Sequence, residues 1–106
     1  MDGEISASAL ADLLDADGDV EIVDIRRPAA FERGHIPDSK NLPFGQLIDR
    51  IAELDADADR IVTVCPHGES SVQAARLIVS YEGVEDTPVE SLAGGLEEWD
   101  GPIERE

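Results

Sequence analysis

The chain carries one cysteine, Cys65, and two histidines, His35 and His67, and the cysteine is the residue best placed to do chemistry. It opens Cys65-Pro66-His67-Gly68-Glu69-Ser70-Ser71, after the β-branched run Arg60-Ile61-Val62-Thr63-Val64 and before a long amphipathic stretch. That order reads as strand end, tight loop and helix start. Amides of the loop and of the first helical turn then converge on the sulfur, and with the positive end of the helix they stabilise a thiolate or a sulfur-bearing anion. Gly68 permits the bend, and the hydroxyl of Ser70 or Ser71 supplies a further donor. An accessible thiol so placed is a nucleophile. Free cysteine also serves as a small apolar filler, so the strand-loop-helix setting carries this reading, not the residue type.

Other chemistries need groups this chain lacks. One cysteine and two widely spaced histidines make no zinc pattern. Asp15, Asp17 and Asp19 alternate as calcium-loop ligands do, but Val20 and Arg26 stand where the turn glycine and terminal glutamate belong. The cluster Glu53, Asp55, Asp57 and Asp59 contains no glycine, and both runs read as solvated faces. No metal and no cofactor are expected. A cysteine phosphatase or arsenate reductase wants an arginine five or six residues past the cysteine, where Ser70 and Ser71 stand; Arg76 lies too far into the helix. A Cys-His hydrolase pair with His67 or His35 lacks an oriented third member, and His67 reads as a loop histidine that bonds locally or meets solvent.

The elements that must position Cys65 follow from spacing. Ser6 or Ser8 can cap a helix with Leu10, Leu13 and Leu14 on one face, ending near Asp15 to Gly18. Val20 to Ile25 is a buried strand. From Arg26 to Pro43 prolines and Gly34 break any long element, although Pro28 can open one or two helical turns. Leu47, Ile48, Ile51 and Leu54 restore helical spacing, and Asp55 to Asp59 ends that helix in an acidic turn. A second clear strand runs from Arg60 to Cys65. The helix from about Glu69 to Tyr81 should be largely buried, with Gln73, Arg76 and Ser80 as its polar stripe and Gly83 as its stop. Pro88 to Leu92 makes a last short strand, and Gly94-Gly95 precedes a turn ending at Trp99. Helices alternating with short apolar strands imply an α/β fold with a mainly parallel sheet covered on both faces.

Composition narrows the class. With 106 residues, residues 1–106 fit one domain. Eight basic residues against 25 acidic ones give a net charge of -17, which repels phosphate backbones and anionic lipid and argues against nucleic-acid binding. No apolar run reaches membrane-spanning length and no basic leader precedes one, so a cytoplasmic protein without a membrane partner is expected. A single cysteine agrees with a reducing compartment. Lys40 is the sole lysine and acids are spread throughout, a pattern of adaptation to high salt more than of ordinary acidity.

From about Ile5 to Trp99 the chain resembles single-domain members of the rhodanese family. Asp24-Ile25-Arg26 matches the family's Asp-x-Arg; Phe31-Glu32-Arg33-Gly34-His35-Ile36-Pro37 with Asn41 matches its Phe-x-x-Gly-His-Ile-Pro stretch. Cys65, Gly68 and Ser71 fit the active loop, and Gly94-Gly95 with Trp99 fits the C-terminal signature. The resemblance implies a rhodanese-like, five-stranded, mainly parallel sheet flanked by helices. It also implies a sulfurtransferase that holds sulfane sulfur on Cys65 as a persulfide and yields it to a nucleophilic acceptor, the loop Pro66, His67, Gly68, Glu69, Ser70 and Ser71 binding substrate. Asp24 and Arg26 would organise the surrounding loops, with two solvent-facing charges as the alternative, and His35 would be structural. Many members carry arginines where Pro66 and Ser70 stand, a glutamate at Ala30 and Gly-Ala at Asp38-Ser39. Without those arginines, and with Glu69 adding negative charge, poor thiosulfate turnover is expected and a persulfide-bearing protein or small thiol is the better donor. The competing class is a rhodanese-like module without turnover, serving protein binding or thiol redox sensing.

Overall fold

The computed structural model describes residues 3–16, 18–54, 58–81 and 87–105. Five strands form one sheet: β1 (Glu4–Ile5), β2 (Val20–Asp24), β3 (Lys40–Asn41), β4 (Arg60–Val64) and β5 (Val89–Leu92), in spatial order β1-β5-β4-β2-β3. Every pairing is parallel, with Ile22 opposite Val62 and Thr63 opposite Ser91. Parallel neighbours need crossovers, and these carry the helices α1 (Ala7–Asp15), α2 (Pro28–Arg33), α3 (Leu47–Arg50) and α4 (Ser70–Val79).

Alternation along the strands loads both faces of the sheet. On one face Ile22, Val62 and Val64 pack with Leu10 of α1, Ile36 and Trp99. On the other, Val23, Ile61 and Val89 meet Ala74, Ala75 and Ile78 of α4. The two alanines leave no bulk between helix and sheet, so α4 lies close on β4 and β5, and Gln73, Arg76 and Ser80 face solvent as the polar stripe predicts.

Ser6 is the cap of α1, its Oγ accepting from the Ala9 amide at 3.1 Å, and Pro28 opens α2 at its first turn. The helix expected from Leu47 onward is broken up. It consists of a 3₁₀ turn (Phe44–Gln46), α3 and a second 3₁₀ turn (Ile51–Glu53), which still bury Leu47, Ile51 and Leu54. Short helical pieces tighten in this way at their ends, and here three apolar anchors suffice without a continuous helix. Ile48 stays 68% exposed. Of the two acidic runs, Asp17, Asp55 and Asp57 lie outside the described residues, as does the helix stop at Gly83. Among the described residues no helix is long and apolar enough to cross a membrane.

β2 and β4 are neighbours whose chains leave in opposite directions, β2 through α2 to β3 and β4 through α4 to β5. The crevice beyond their carboxyl ends is the topological switch point, where open α/β sheets place ligands. Ile25–Arg26 forms one bank and Cys65–Pro66 the other.

Candidate active site

Cys65 follows the last residue of β4, and its carbonyl and that of Pro66 are held by the Leu96 amide at 2.8 Å and the Glu97 amide at 3.1 Å. With the carbonyls drawn outward, the loop amides turn inward. Gly68 N donates to Cys65 Sγ at 3.0 Å and Ser71 N at 3.4 Å, and the His67 amide adds to them. The thiol also bonds Ser71 Oγ at 3.3 Å.

Burial pushes the Cys65 thiol upward, but the hydroxyl of Ser71 and the amides of Ser71, Gly68 and His67 together outweigh it, leaving the group below the ordinary thiol range. The cradle therefore favours the thiolate. It also covers the residue more than the sequence leads one to expect: Cys65 is 2% exposed, not an open thiol. The sulfur faces the amides, and the thiol itself donates to Ser71 Oγ, a bond that reverses when the sulfur is ionised; the loop is held closed over it by the Leu96 and Glu97 amides.

The rest of the loop divides cleanly. Ser71 is buried and serves as the hydroxyl donor; Ser70, the alternative, is exposed, as are the side chains of Pro66 and Glu69. His67 contributes its amide, whereas its exposed ring binds Glu97 Oε2 through Nδ1 at 2.7 Å. Gly68 adopts φ +90°, and a Cβ there would stand 2.9 Å from Gly94 N. Gly95 is the reciprocal case, with φ +68° and a hypothetical Cβ 2.6 Å from both Gly68 N and His67 N. The Gly-Gly pair thus lies against the back of the cysteine loop, the close approach that excludes any side chain.

Asp24 and Arg26 are not solvent-facing charges. Asp24 is 1% exposed, and its carboxylate takes Arg26 Nε at 3.0 Å and Nη2 at 2.7 Å. Arg26 Nη2 also donates to Gly34 O at 2.7 Å, while Asn41 Nδ2 donates to the carbonyls of Asp24 and Arg26. These bonds close the segment from β2 through α2 to β3 into one unit beside Pro66. His35 is buried and stacked on Phe31 with centroids 3.8 Å apart, its Nδ1 bonded to Phe31 O and its backbone bridged to Glu104.

Ser91 was not apparent from the sequence as a site residue. It is fully buried on β5, and its Oγ lies 2.6 Å from Ser71 Oγ, extending the hydrogen-bonded chain from Cys65 through Ser71. A small polar residue beside Glu90 in the short strand Val89–Leu92 was the only signal. Thr63 Oγ1 donates to Ser71 O at 2.7 Å and ties the start of α4 to β4. Among the described residues no three His, Cys, Asp or Glu side chains are arranged to hold a metal ion.

A thiol cradled by amides and a hydroxyl beyond the central strand of a parallel sheet defines a class: an α/β domain with a shielded cysteine at its topological switch point. The chain belongs to the rhodanese-like domain family, whose profile matches residues 6–101. It is 46% identical over 78 residues to a protein named thiosulfate sulfurtransferase GlpE from Pseudomonas syringae, spanning 74% of this chain and 70% of that one. A protein of the same name from Pseudoalteromonas translucida is 40% identical over 96 residues, 91% of this chain and 87% of its own. The rhodanese-like domain of an Anabaena protein, solved by NMR, superposes with a TM-score of 0.84 at 28% identity, covering 100% of this chain and 81% of that one. A rhodanese-related protein from Thermoplasma volcanium shares the fold at TM-score 0.83 and 23% identity, covering 97% and 98%.

Proposed function

We propose that this rhodanese-like sulfurtransferase carries sulfane sulfur as a persulfide on Cys65, accepting it from a donor and passing it to a nucleophilic acceptor. The convergence of the Gly68, Ser71 and His67 amides and Ser71 Oγ on one sulfur carries this reading. In the first step the Cys65 thiolate attacks the outer sulfur of a protonated donor persulfide, R-S-SH; the donor's S–S bond breaks, and the departing RS⁻ takes up the proton of the new Cys65-S-SH, leaving Cys65-S-S⁻ and RSH. In the second an acceptor thiol passes its proton to the outer sulfur and attacks it as a thiolate, forming R'-S-SH as the bond to Cys65 breaks and the Cys65 thiolate is restored. One negative charge is retained throughout, and the same donors neutralise it at each stage. Asp24 and Arg26 hold the neighbouring loop in place and do not touch the sulfur.

The donor is read as a persulfide-bearing protein or small thiol, because Pro66 and Ser70 offer no charge to a dianion and Glu69 adds a repulsive one. A second reading takes thiosulfate as donor, with sulfite leaving, and is favoured by the names of the relatives. The protein's setting is read as a salty cytoplasm, which the dispersed acids and single lysine support.

Intact mass before and after exposure to a persulfide donor tests the first step. One added sulfur atom is expected in the wild type and none in Cys65→Ser; an unmodified wild type sinks the proposal. A persulfide that forms but passes to no acceptor identifies the non-catalytic sensing or binding module instead. Relative kcat/KM for thiosulfate and for a low-molecular-weight persulfide then separates the two donors.

A further inference from the structure

Four of the eight basic residues are neutralised by an acid, Arg26 by Asp24, Lys40 by Glu21, Arg50 by Glu53 and Arg60 by Glu90, while Arg105 bonds a backbone carbonyl and Arg76 stands exposed on α4. Arg27 and Arg33 differ. Among the described residues neither guanidinium has an ion-pair or hydrogen-bond partner, and both line one cleft of about 440 Å³. Ile25, Ala29 and Ala30 make its apolar floor and Pro66, the residue after the cysteine, makes a wall. Among the described residues no carboxylate lines it, and Ala30 contributes only a methyl group. In a chain of net charge -17, a cleft of this sign at the switch point is a departure from the surrounding surface.

Both its position and its chemistry specify a ligand. The cleft shares Pro66 with the cysteine loop, and neither Cys65 nor the residues whose amides hold its sulfur line it, so a charge bound there belongs to a molecule that extends from the cleft to the sulfur. Planar guanidinium groups match carboxylates, and the apolar floor accommodates the carbon skeleton between carboxylate and thiol. We propose that this cleft docks the carboxylates of the thiol that exchanges sulfur with Cys65, with Arg27 and Arg33 as the specificity-determining residues. The inference rests on the sulfur-transfer reading above and deepens it by naming the carrier: a carboxylate-bearing small thiol. It also moves the recognising charge from the cysteine loop, where Pro66 and Ser70 have none, to the opposite bank.

The test loads Cys65 with sulfur and measures transfer to glutathione, which carries two carboxylates, and to 2-mercaptoethanol, which carries none. The wild type should prefer glutathione, and the ratio of the two kcat/KM values should fall about tenfold in the Arg27→Gln/Arg33→Gln variant. In the wild type the same ratio should decline as salt is raised, because exposed charges are screened. Transfer to both thiols with a ratio that neither the substitutions nor salt move overturns the inference alone. A loaded protein that passes sulfur to neither thiol overturns the sulfur-transfer reading and this inference with it.

Discussion

The Ser71 hydroxyl favours ionisation of Cys65, and a second buried hydroxyl, that of Ser91, bonds to it from behind. Ser91 lies behind Ser71, and a proton donated from Ser91 to Ser71 Oγ leaves the proton of Ser71 directed at the sulfur. Ser71→Ala removes a donor that favours the thiolate, so the thiol pKa should rise and alkylation below the wild-type midpoint should slow severalfold, the equivalent of one net hydrogen bond. Ser91→Ala should raise it less, because Ser71 remains but loses its orientation. The rate of iodoacetamide alkylation against pH reads this directly. Both midpoints should move to higher pH, and below the wild-type midpoint both variants should react more slowly; a Ser71→Ala profile superposed on the wild type contradicts the role given to the hydroxyl. Cys65, Gly68 and Ser71 were legible because strand end, bend and helix start lie within seven successive residues. Ser91 was not, because it reaches the site only through the register of β5 beside β4, a contact no local pattern encodes. The depth of Cys65 was equally hidden, since closure of the loop depends on Leu96 and Glu97 some thirty positions away in sequence.

Two elements lock the cradle from outside. The turn at Gly94-Gly95 presses on its back, and Gly95→Ala would drive a methyl group into the Gly68 and His67 amides at a φ of +68°. The loop must move, so the substitution should cost about 1–3 kcal/mol and slow alkylation of Cys65, whereas Gly45→Ala, which meets nothing within 4 Å, should leave that rate unchanged. An unaltered alkylation rate in Gly95→Ala would show that the pair does not shape the cradle. On the other bank, Asp24→Asn keeps the shape of the side chain but leaves the Arg26 charge uncompensated at a site where Asp24 is 1% exposed. Breaking such a pair costs about 3–5 kcal/mol, which for a domain of this size lowers Tm by more than about 10 °C. A thermal scan that finds Asp24→Asn within a few degrees of the wild type refutes the locking role. The long strands and α4 were legible from periodicity and β-branching; β1 and β3 were not, as two residues each cannot display alternation. The helix expected from Leu47 onward is broken for a related reason, since apolar spacing specifies which side chains are buried and not whether the backbone between them stays α-helical.

At the scale of the whole molecule, charge and fold oppose each other. Asp24 is the single buried acid among the described residues, and nearly all the others lie on the surface, where the scarce cations pair with only a few. A net charge of -17 on a body with a radius of gyration of 12.2 Å gives strong self-repulsion that the unfolded chain relieves by expanding. Salt removes the repulsion: the Debye length falls from about 10 Å at 0.1 M to about 3 Å at 1 M, shorter than the spacing of most surface charges. Stability should therefore climb with sodium chloride, by about 10 °C in Tm between those concentrations, and most of the gain should come before the Debye length reaches atomic dimensions. Sodium sulfate at equal ionic strength separates screening from strengthened apolar burial, since only the latter keeps growing once charges are screened. A Tm that is flat or falls with sodium chloride would mean that the acids are not a source of repulsion. Because the Arg27–Arg33 cleft relies on unscreened charge while the fold benefits from screened charge, transfer to an anionic thiol should peak at intermediate salt, where folded protein and docking attraction coexist.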